Sequence, residues 1–378
     1  MAKNMNKIDE LLKKLCPDGV EFKKLGEVAE IKRGTSITKS SVVEGDVPVI
    51  AGGRAPAYFH NVSNRDGQNI VIAGSGAYAG FVSWWEQPIF VSDAFTVKPH
   101  SGLFTKYCYY WLQNMQQHLH ELKSGGGVPH IYPRDVAPLK IPIPPLPIQQ
   151  EIVNILDTFS RLEAELEAEL EARKKQYEYY RDELLTFGED ACLPDRQVEW
   201  KTLGEVALNL DSKRKPITKR NRKDGKYPYY GASGIVDYVN DYIFDGDYLL
   251  VSEDGANLLT RVAPIAFSAS GKIWVNNHAH VLEFKTYTDR KFVEYYLNMI
   301  DLSRFISTAA QPKLTQDNLN KIPIPIPPFA EQERIVAILD KFDALVNDLS
   351  IGLPAELNAR RKQYEYYRNK LLTFQEKK

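Results

Sequence analysis

The stretch Pro144-Pro145-Leu146-Pro147-Ile148-Gln149-Gln150-Glu151-Ile152-Val153-Asn154-Ile155-Leu156-Asp157 decides the architecture, because the chain contains its pattern twice. Ile152-Val153-x-Ile155-Leu156-Asp157 returns as Ile335-Val336-x-Ile338-Leu339-Asp340, 183 residues later, again behind a proline pair, Pro327-Pro328. Upstream, Leu25-Gly26-Glu27-Val28-Ala29 recurs as Leu203-Gly204-Glu205-Val206-Ala207 at an offset of 178, and Ile37-Thr38-Lys39 as Ile217-Thr218-Lys219 at 180. Downstream, Lys175-Gln176-Tyr177-Glu178-Tyr179-Tyr180-Arg181 returns intact over 362–368. A period this long is no solenoid. The chain is one domain-plus-helix unit, duplicated.

The similar parts read as helices. Ile152, Ile155, Phe159, Leu162, Leu166, Leu170, Tyr177, Tyr180 and Leu184 follow a three/four spacing, with Glu, Lys and Arg on the other faces. The prolines set an extended lead-in, because proline fixes φ and lacks a donor. A continuous helix over 149–187 measures about 55–60 Å. In the second copy Ile335, Ile338, Phe342, Leu345 and Leu349 start the same stripe. Asp340 to Tyr364 is then 24 residues where Asp157 to Tyr177 is 20. The extra turn carries Gly352 and Pro354, which predicts a break near Leu353. The order domain, helix, domain, helix predicts an antiparallel coiled coil with a domain at each end and an approximate internal twofold. Segment 8–15 is amphipathic through Ile8, Leu11, Leu12 and Leu15, and is expected to pack near the returning C-terminus.

The variable parts are rich in Gly, Pro, Tyr and β-branched residues, as at 68–73 and 248–252, so short strands separated by turns are expected. Each holds one helical stretch, 105–122 and 290–306. The fold class is therefore α+β. The expected organisation is an N-terminal helical segment (1–20), a first variable domain (21–145), a central helix (146–190), a second variable domain (191–328) and a C-terminal helix (329–378).

Composition narrows the class. With 378 residues, 43% hydrophobic and 26% charged, the chain is ordinary globular material with room for two or three cores. No apolar run approaches the ~18 residues of a membrane span, and the opening residues contain no apolar leader. Cys16, Cys108 and Cys192 are odd in number and far apart. That excludes a disulfide framework or a CxxC zinc site and fits a reducing cytoplasm. The net charge of −1 hides an acidic block: 146–190 carries −7, whereas 21–145 and 195–328 carry +2 each. Local patches matter more than the total.

At this point the sequence resembles the specificity subunit of type I restriction–modification systems. The resemblance covers almost the whole chain: paired variable domains, each followed by a near-identical helical region with a Pro-Pro lead-in and a Q-x-x-I-V-x-I-L-D start, here 149–157 and 332–340. It implies a non-catalytic chain whose two target-recognition domains each read one half of a gapped DNA site. It also implies that the helices carry two methyltransferase subunits, with ATP-dependent restriction and translocation subunits in a full system. S-adenosylmethionine, ATP and Mg²⁺ are then expected on partners, with no cofactor or metal in this chain.

Physical logic points the same way. Twofold DNA readers set two heads about one duplex turn, ~34 Å, apart, and a rigid helix pair does this within one polypeptide. Different variable domains imply an asymmetric site, and the helices act as a ruler for its gap. The strongest local sign of DNA contact is 213–226, with eight cations and one acid in 14 residues: Lys213, Arg214, Lys215, Lys219, Arg220, Arg222, Lys223 and Lys226, against Asp224. Such a loop neutralises phosphates. The matching stretch in copy one is basic and hydroxyl-rich, with Lys32, Arg33, Thr35, Ser36 and Lys39. Phosphate contacts fix register without reading bases. Base readers are therefore sought nearby: Arg54, Tyr58, Ser75 and Tyr78 in copy one, and Tyr229, Tyr230, Asn257, Arg261 and His278 in copy two. The bland alternative for any of them is a solvated loop or a turn residue.

Several motifs imitate other chemistries. Pro194-Asp195-x-x-x-Glu199-x-Lys201 and Pro17-Asp18-x-x-Glu21-x-Lys23 mimic a nuclease signature, but the gap is too short to separate two metal-binding strands. A proline-led entry into each domain's first strand explains both. Pro327-Pro328-Phe329 ends like an amino-methyltransferase motif, with Ile326 where the essential Asn belongs. Gly74-x-Gly76-x-x-Ala79 precedes a predicted strand, whereas a dinucleotide fingerprint needs a helix N-terminus. His118/His120 and His278/His280 lack a third ligand at metal spacing. The acidic face at 163–171 suits solvent or a docking partner. Two other classes stay open: a self-sufficient DNA-modifying enzyme, which needs a cofactor pocket, and a sequence-indifferent scaffold, which predicts no change of target when 21–145 is exchanged.

Overall fold

The computed structural model describes residues 2–125, 127–187, 198–307 and 311–377. It forms two compact units, Met1–Glu167 with Glu356–Lys378, and Ala168–Ala355. Cys192, Pro194 and Asp195 lie outside the described residues.

The first unit is closed at its base by a ribbon of Glu21–Lys24 and Lys140–Ile143, paired antiparallel. The Glu-x-Lys of the nuclease look-alike is part of this ribbon, and Glu21 and Lys23 pair on one face at 3.4 Å. Beyond it lies a four-stranded sheet in the order Ala29–Arg33, Ala94–Pro99, Asn69–Ala73, Val82–Trp85. A smaller sheet follows in the order Tyr58–His60, Val47–Ile50, Phe90–Val91, its last pair parallel. Pro88 sits in the gap between Val82–Trp85 and Phe90–Val91, where a residue without an N–H cannot continue a ladder. The predicted helix 105–122 is present as Thr105–Asn114 and Gln116–Glu121, interrupted at Met115. Its Tyr107, Leu112 and Leu119 are fully buried with Ile70, Ile72 and Phe95.

The second unit repeats this order. Glu199–Thr202 pairs with Pro323–Ile326. The sheet runs Leu208–Asn209, Ala279–Glu283, Phe244–Ser252, Ala266–Val275, Asp224–Gly231, Gly234–Val239. The difference is one strand. Ala266–Val275 pairs antiparallel with Phe244–Ser252 at one end and parallel with Tyr229 and Tyr230 at the other, so it replaces two separate strands and fuses the two sheets. The helix expected at 290–306 spans Tyr287–Met299 instead. Thr286 starts it early by accepting the Asp289 N–H, and Ile300 leaves it with ψ at 150°.

The long helix is Leu146–Leu185, 40 residues or about 60 Å. The C-terminal stripe is two helices, Phe329–Asn347 and Leu353–Leu372. The break falls at 348–352, just ahead of Leu353. There Asp348 accepts the Ser350 and Ile351 N–H groups at 2.6 and 3.3 Å. A Cβ on Gly352 would lie 2.3 Å from Ala344 O. Pro354 takes the second position of the new helix, where its missing donor costs nothing.

In the first unit Phe159 packs on Tyr364 and Tyr367 at 5.9 and 5.5 Å, while Arg361 pairs with Glu163 at 2.7 Å and with Glu167. As the residue number rises on one helix it falls on the other, so this pairing is antiparallel. In the second unit Phe342 packs against Tyr177 and Tyr180 at 6.4 and 5.7 Å. The stripe is not sealed throughout, since Leu162 and Leu345 are each 37% exposed. The helix Ala2–Leu15 buries Ile8 in the same core as Leu371 and Leu372. Val20 N–H donates to Gln375 O, and Lys377 N–H donates to Val20 O.

Candidate nucleic-acid interface

The duplicated motif is an anchor. Gln149, fully buried, donates through Nε2 to Pro144 O at 2.7 Å, and Gln332 does the same to Pro327 O at 3.0 Å. Tyr110 donates its hydroxyl to Asp157, and Tyr295 donates to Asp340 at 2.6 Å. Repetition here reflects one way of fastening a helix to a domain.

The basic loop of the first unit leaves the strand Ala29–Arg33. Thr35 N–H donates to Val91 O at 2.9 Å, and Ile37 N–H to Ser92 Oγ at 3.2 Å. Held this way, Lys32, Arg33, Thr35, Ser36 and Lys39 are all exposed. The Arg33 guanidinium lies over Tyr132 at 5.7 Å, and Tyr132 stacks on His130. Arg54 lies over Tyr78 at 4.8 Å, and both are exposed. Tyr58 is half-buried in Tyr58–His60. Ser75, half-buried, donates to Asp93.

The second unit divides its loop cations into two sets. Lys213, Lys215, Lys219, Arg220, Lys223 and Lys226 are exposed. Arg214 turns inward, 2.6 Å from Glu253 and 3.2 Å from Asp211, and also donates to Ala279 O at 2.8 Å. Arg222 reaches Asp237 at 3.0 Å and Ile217 O at 3.1 Å, with its guanidinium 4.4 Å above the Tyr229 ring. Tyr229 is 1% exposed, and its hydroxyl accepts Ile217 N–H and donates to Ile217 O. These three side chains hold the loop in shape and do not project from it. Arg261 is also drawn inward, donating to Leu297 O and Ile300 O at the end of the helix Tyr287–Met299. Asn257 ties its own turn through Ala263. Tyr230 is half-buried against Phe267, and burial raises its pKa. His278 is exposed and pairs with Asp254 at 2.8 Å.

Asp211, Glu253 and His280 bring three ligand-type atoms within 4.8 Å of one another. The Arg214 guanidinium already contacts both carboxylates. His280, fully buried, faces Asp211 Oδ2 with Nδ1 at 2.6 Å and Leu314 O with Nε2 at 2.8 Å. Burial alone would raise the Asp211 and Glu253 pKa values. For Asp211 the bonds from His280 and Val281 N–H, with Arg214, outweigh burial; for Glu253 those from Arg214 and Lys313 do. Both carboxyls are held below their ordinary range. This cluster is a salt-bridge network under the loop. The paired histidines separate: His278 is exposed and His280 buried, while His118 and His120 sit on the helix Gln116–Glu121, so neither pair shares a face. Gly74 and Gly76 form a turn into the strand Val82–Trp85, with no helix after them.

The type I restriction modification DNA specificity domain matches residues 17–172 and again 196–359, so the chain belongs to that family. A type I restriction enzyme specificity subunit of Haemophilus influenzae is 43% identical over 191 residues, half of this chain and 49% of that protein. The chain thus spans about half the length of that relative. The EcoR124I/EcoR124II specificity subunit of Escherichia coli is 35% identical over 302 residues, 71% of this chain and 70% of that protein. In structure, the S subunit of a type I system from M. genitalium aligns over 94% of this chain and 96% of its own, with a TM-score of 0.64 at 20% identity, a likeness of fold. Among the described residues no helix is long and apolar enough to cross a membrane.

Proposed function

We propose that this chain is the sequence-specific DNA-recognition subunit of a type I restriction–modification complex and performs no catalysis itself. Residues 21–145 and 191–328 are the two recognition domains, each reading one half of an asymmetric, interrupted double-stranded site. Helical residues 146–190 and 329–378 set the gap and dock two methyltransferase subunits, and the ATP-dependent restriction subunits join that assembly. The observation that carries this reading is the same strand order in both units, presenting a basic loop at the same place with different side chains. Exposed Lys32, Arg33, Lys39, Lys213, Lys215, Lys219, Arg220, Lys223 and Lys226 take phosphates. Arg54 with Tyr78, Ser75 and His278 face base edges.

A base-resolved methylome of the host with and without the gene tests this. Loss of one asymmetric interrupted motif is the expected result. Loss of a short uninterrupted motif, or no change in the presence of a bound methyltransferase, overturns it.

A further inference from the structure

We infer that the side-chain pairs Ser75–Asp93 and Asp254–His278 are one and the same base-reading position in the two halves, with the acid moved from one segment of the frame to the other. The inference rests on the DNA reading above and goes past it by naming the residues that make the half-sites differ.

The two positions are equivalent because the same backbone bonds surround them. Gly74 N–H donates to Asp93 O at 3.0 Å, and Glu253 N–H to His278 O at 2.9 Å. Gly76 N–H donates to Pro129 O at 2.9 Å, and Gly255 N–H to Pro312 O at 3.1 Å. Ile131 N–H donates to Gly74 O, and Leu314 N–H to Glu253 O. Ser75 bridges His130 as Asp254 bridges Lys313. Gly76 and Gly255 both take positive φ, +81° and +106°, which turns the chain sharply after each pair. Three segments of chain are thus tied in one frame, twice.

Only the side chains on that frame change. In the first unit the hydroxyl is on 75 and the acid on 93; in the second the acid is on 254 and the imidazole on 278. A frame built from backbone carries no sequence information, so discrimination falls to what it displays. Asp93 can only accept, which suits the exocyclic amine of cytosine or adenine in the major groove. Asp254 holds His278 by Nδ1 at 2.8 Å, which aims Nε2 of a ring 49% exposed away from the pair. Cations stand beside both pairs. His130, which bridges Ser75, stacks on Tyr132 under Arg33. Lys313, which bridges Asp254, reaches Glu253 at 3.0 Å.

The test is selection from a duplex library carrying two randomised windows, using the full chain with its modification subunit, at two salt concentrations. If the wild-type chain enriches no interrupted motif, the DNA reading itself fails. Given a motif, Asp93→Asn should lose preference at one base of one half by roughly 5- to 150-fold, leaving the other half and the salt slope unchanged. His278→Ala should do the mirror image. Ser75→Asp with Asp93→His should carry the second half's preference into the first. Unchanged motifs in both single variants overturn the inference. So does uniform weakening with a shallower salt slope, the mark of a phosphate contact. His278 is exposed, so its arm decides the matter even if Asp93→Asn melts early.

Discussion

Tyr295 donates its hydroxyl to Asp340 Oδ1 at 2.6 Å, and Tyr287 approaches the other oxygen of the same carboxylate at 2.8 Å. Two tyrosines of the helix Tyr287–Met299 thus grip the first acid of the repeated Ile-Leu-Asp motif, as Tyr110 grips Asp157 in the first unit. Hydrogen bonds to a charged acceptor contribute more than neutral ones. Tyr295→Phe should destabilise the second unit by about 2 kcal/mol in denaturant melts, with Tyr287→Phe costing less because Tyr287 is more exposed. Equal and negligible losses would show that the grip is incidental.

The same tyrosines give an alkaline limit. Burial first, then the Asp340 hydrogen bond, pushes the Tyr295 hydroxyl far above its ordinary pKa, and Tyr287 is pushed up to about 12 for the same reasons. The native state therefore favours the protonated phenols. Their contribution is complete below the unfolded pKa of about 10 and is lost as pH climbs from there toward the folded value. Thermal melts between pH 8 and 11.5 should fall steeply above pH 10, and Tyr295→Phe should flatten that fall.

Arg214 and Lys219 belong to one basic loop and should behave oppositely. Arg214→Ala strands two buried carboxylates, and losing one partner of such a network costs about 3–5 kcal/mol. Lys219→Ala should leave stability within about 0.5 kcal/mol but weaken DNA binding and lower the salt slope by about 1. Paired melting and binding-versus-salt curves distinguish the two. If Arg214→Ala melts like the parent, the network is not what holds the loop.

Four residues added within the helix Leu146–Leu185, matched by four in Phe329–Asn347, lengthen each helix by about 6 Å. At about 3.4 Å per base pair the gap in the recognised site should grow by one or two base pairs with both half-sites unchanged, as read by methylome sequencing. A new half-site, or an unaltered gap, would exclude the ruler.

What was legible in the sequence was periodic or repeated. The heptad-like stripe located the long helix to within three residues, and the extra turn with Gly352 and Pro354 located the break. Strand pairing was not legible, because it joins segments far apart in sequence. Ala266–Val275 gives no sign in composition that it fuses two sheets. Loop cations look alike as letters, yet Arg214 and Arg222 are spent inward while their neighbours face solvent. The acids Asp93 and Asp254 escaped notice for the same reason: each lies 18 to 24 residues from its partner. Setting the copies side by side at their own offsets is the signal that finds them.

The fused strand also bears on how each unit opens. In the first unit the small sheet carrying Val47–Ile50 and Tyr58–His60 shares no strand with the four-stranded sheet, so opening it leaves the larger ladder intact. In the second, the hairpin Asp224–Gly231 and Gly234–Val239 shares Ala266–Val275 with the main sheet, and opening it breaks the larger ladder. Amide hydrogens of Val47–Ile50 and Tyr58–His60 should therefore exchange sooner than those of Asp224–Gly231 and Gly234–Val239. On the DNA reading proposed above, the two ends of a bound site would then have unequal residence times, one foot lifting repeatedly while the other stands.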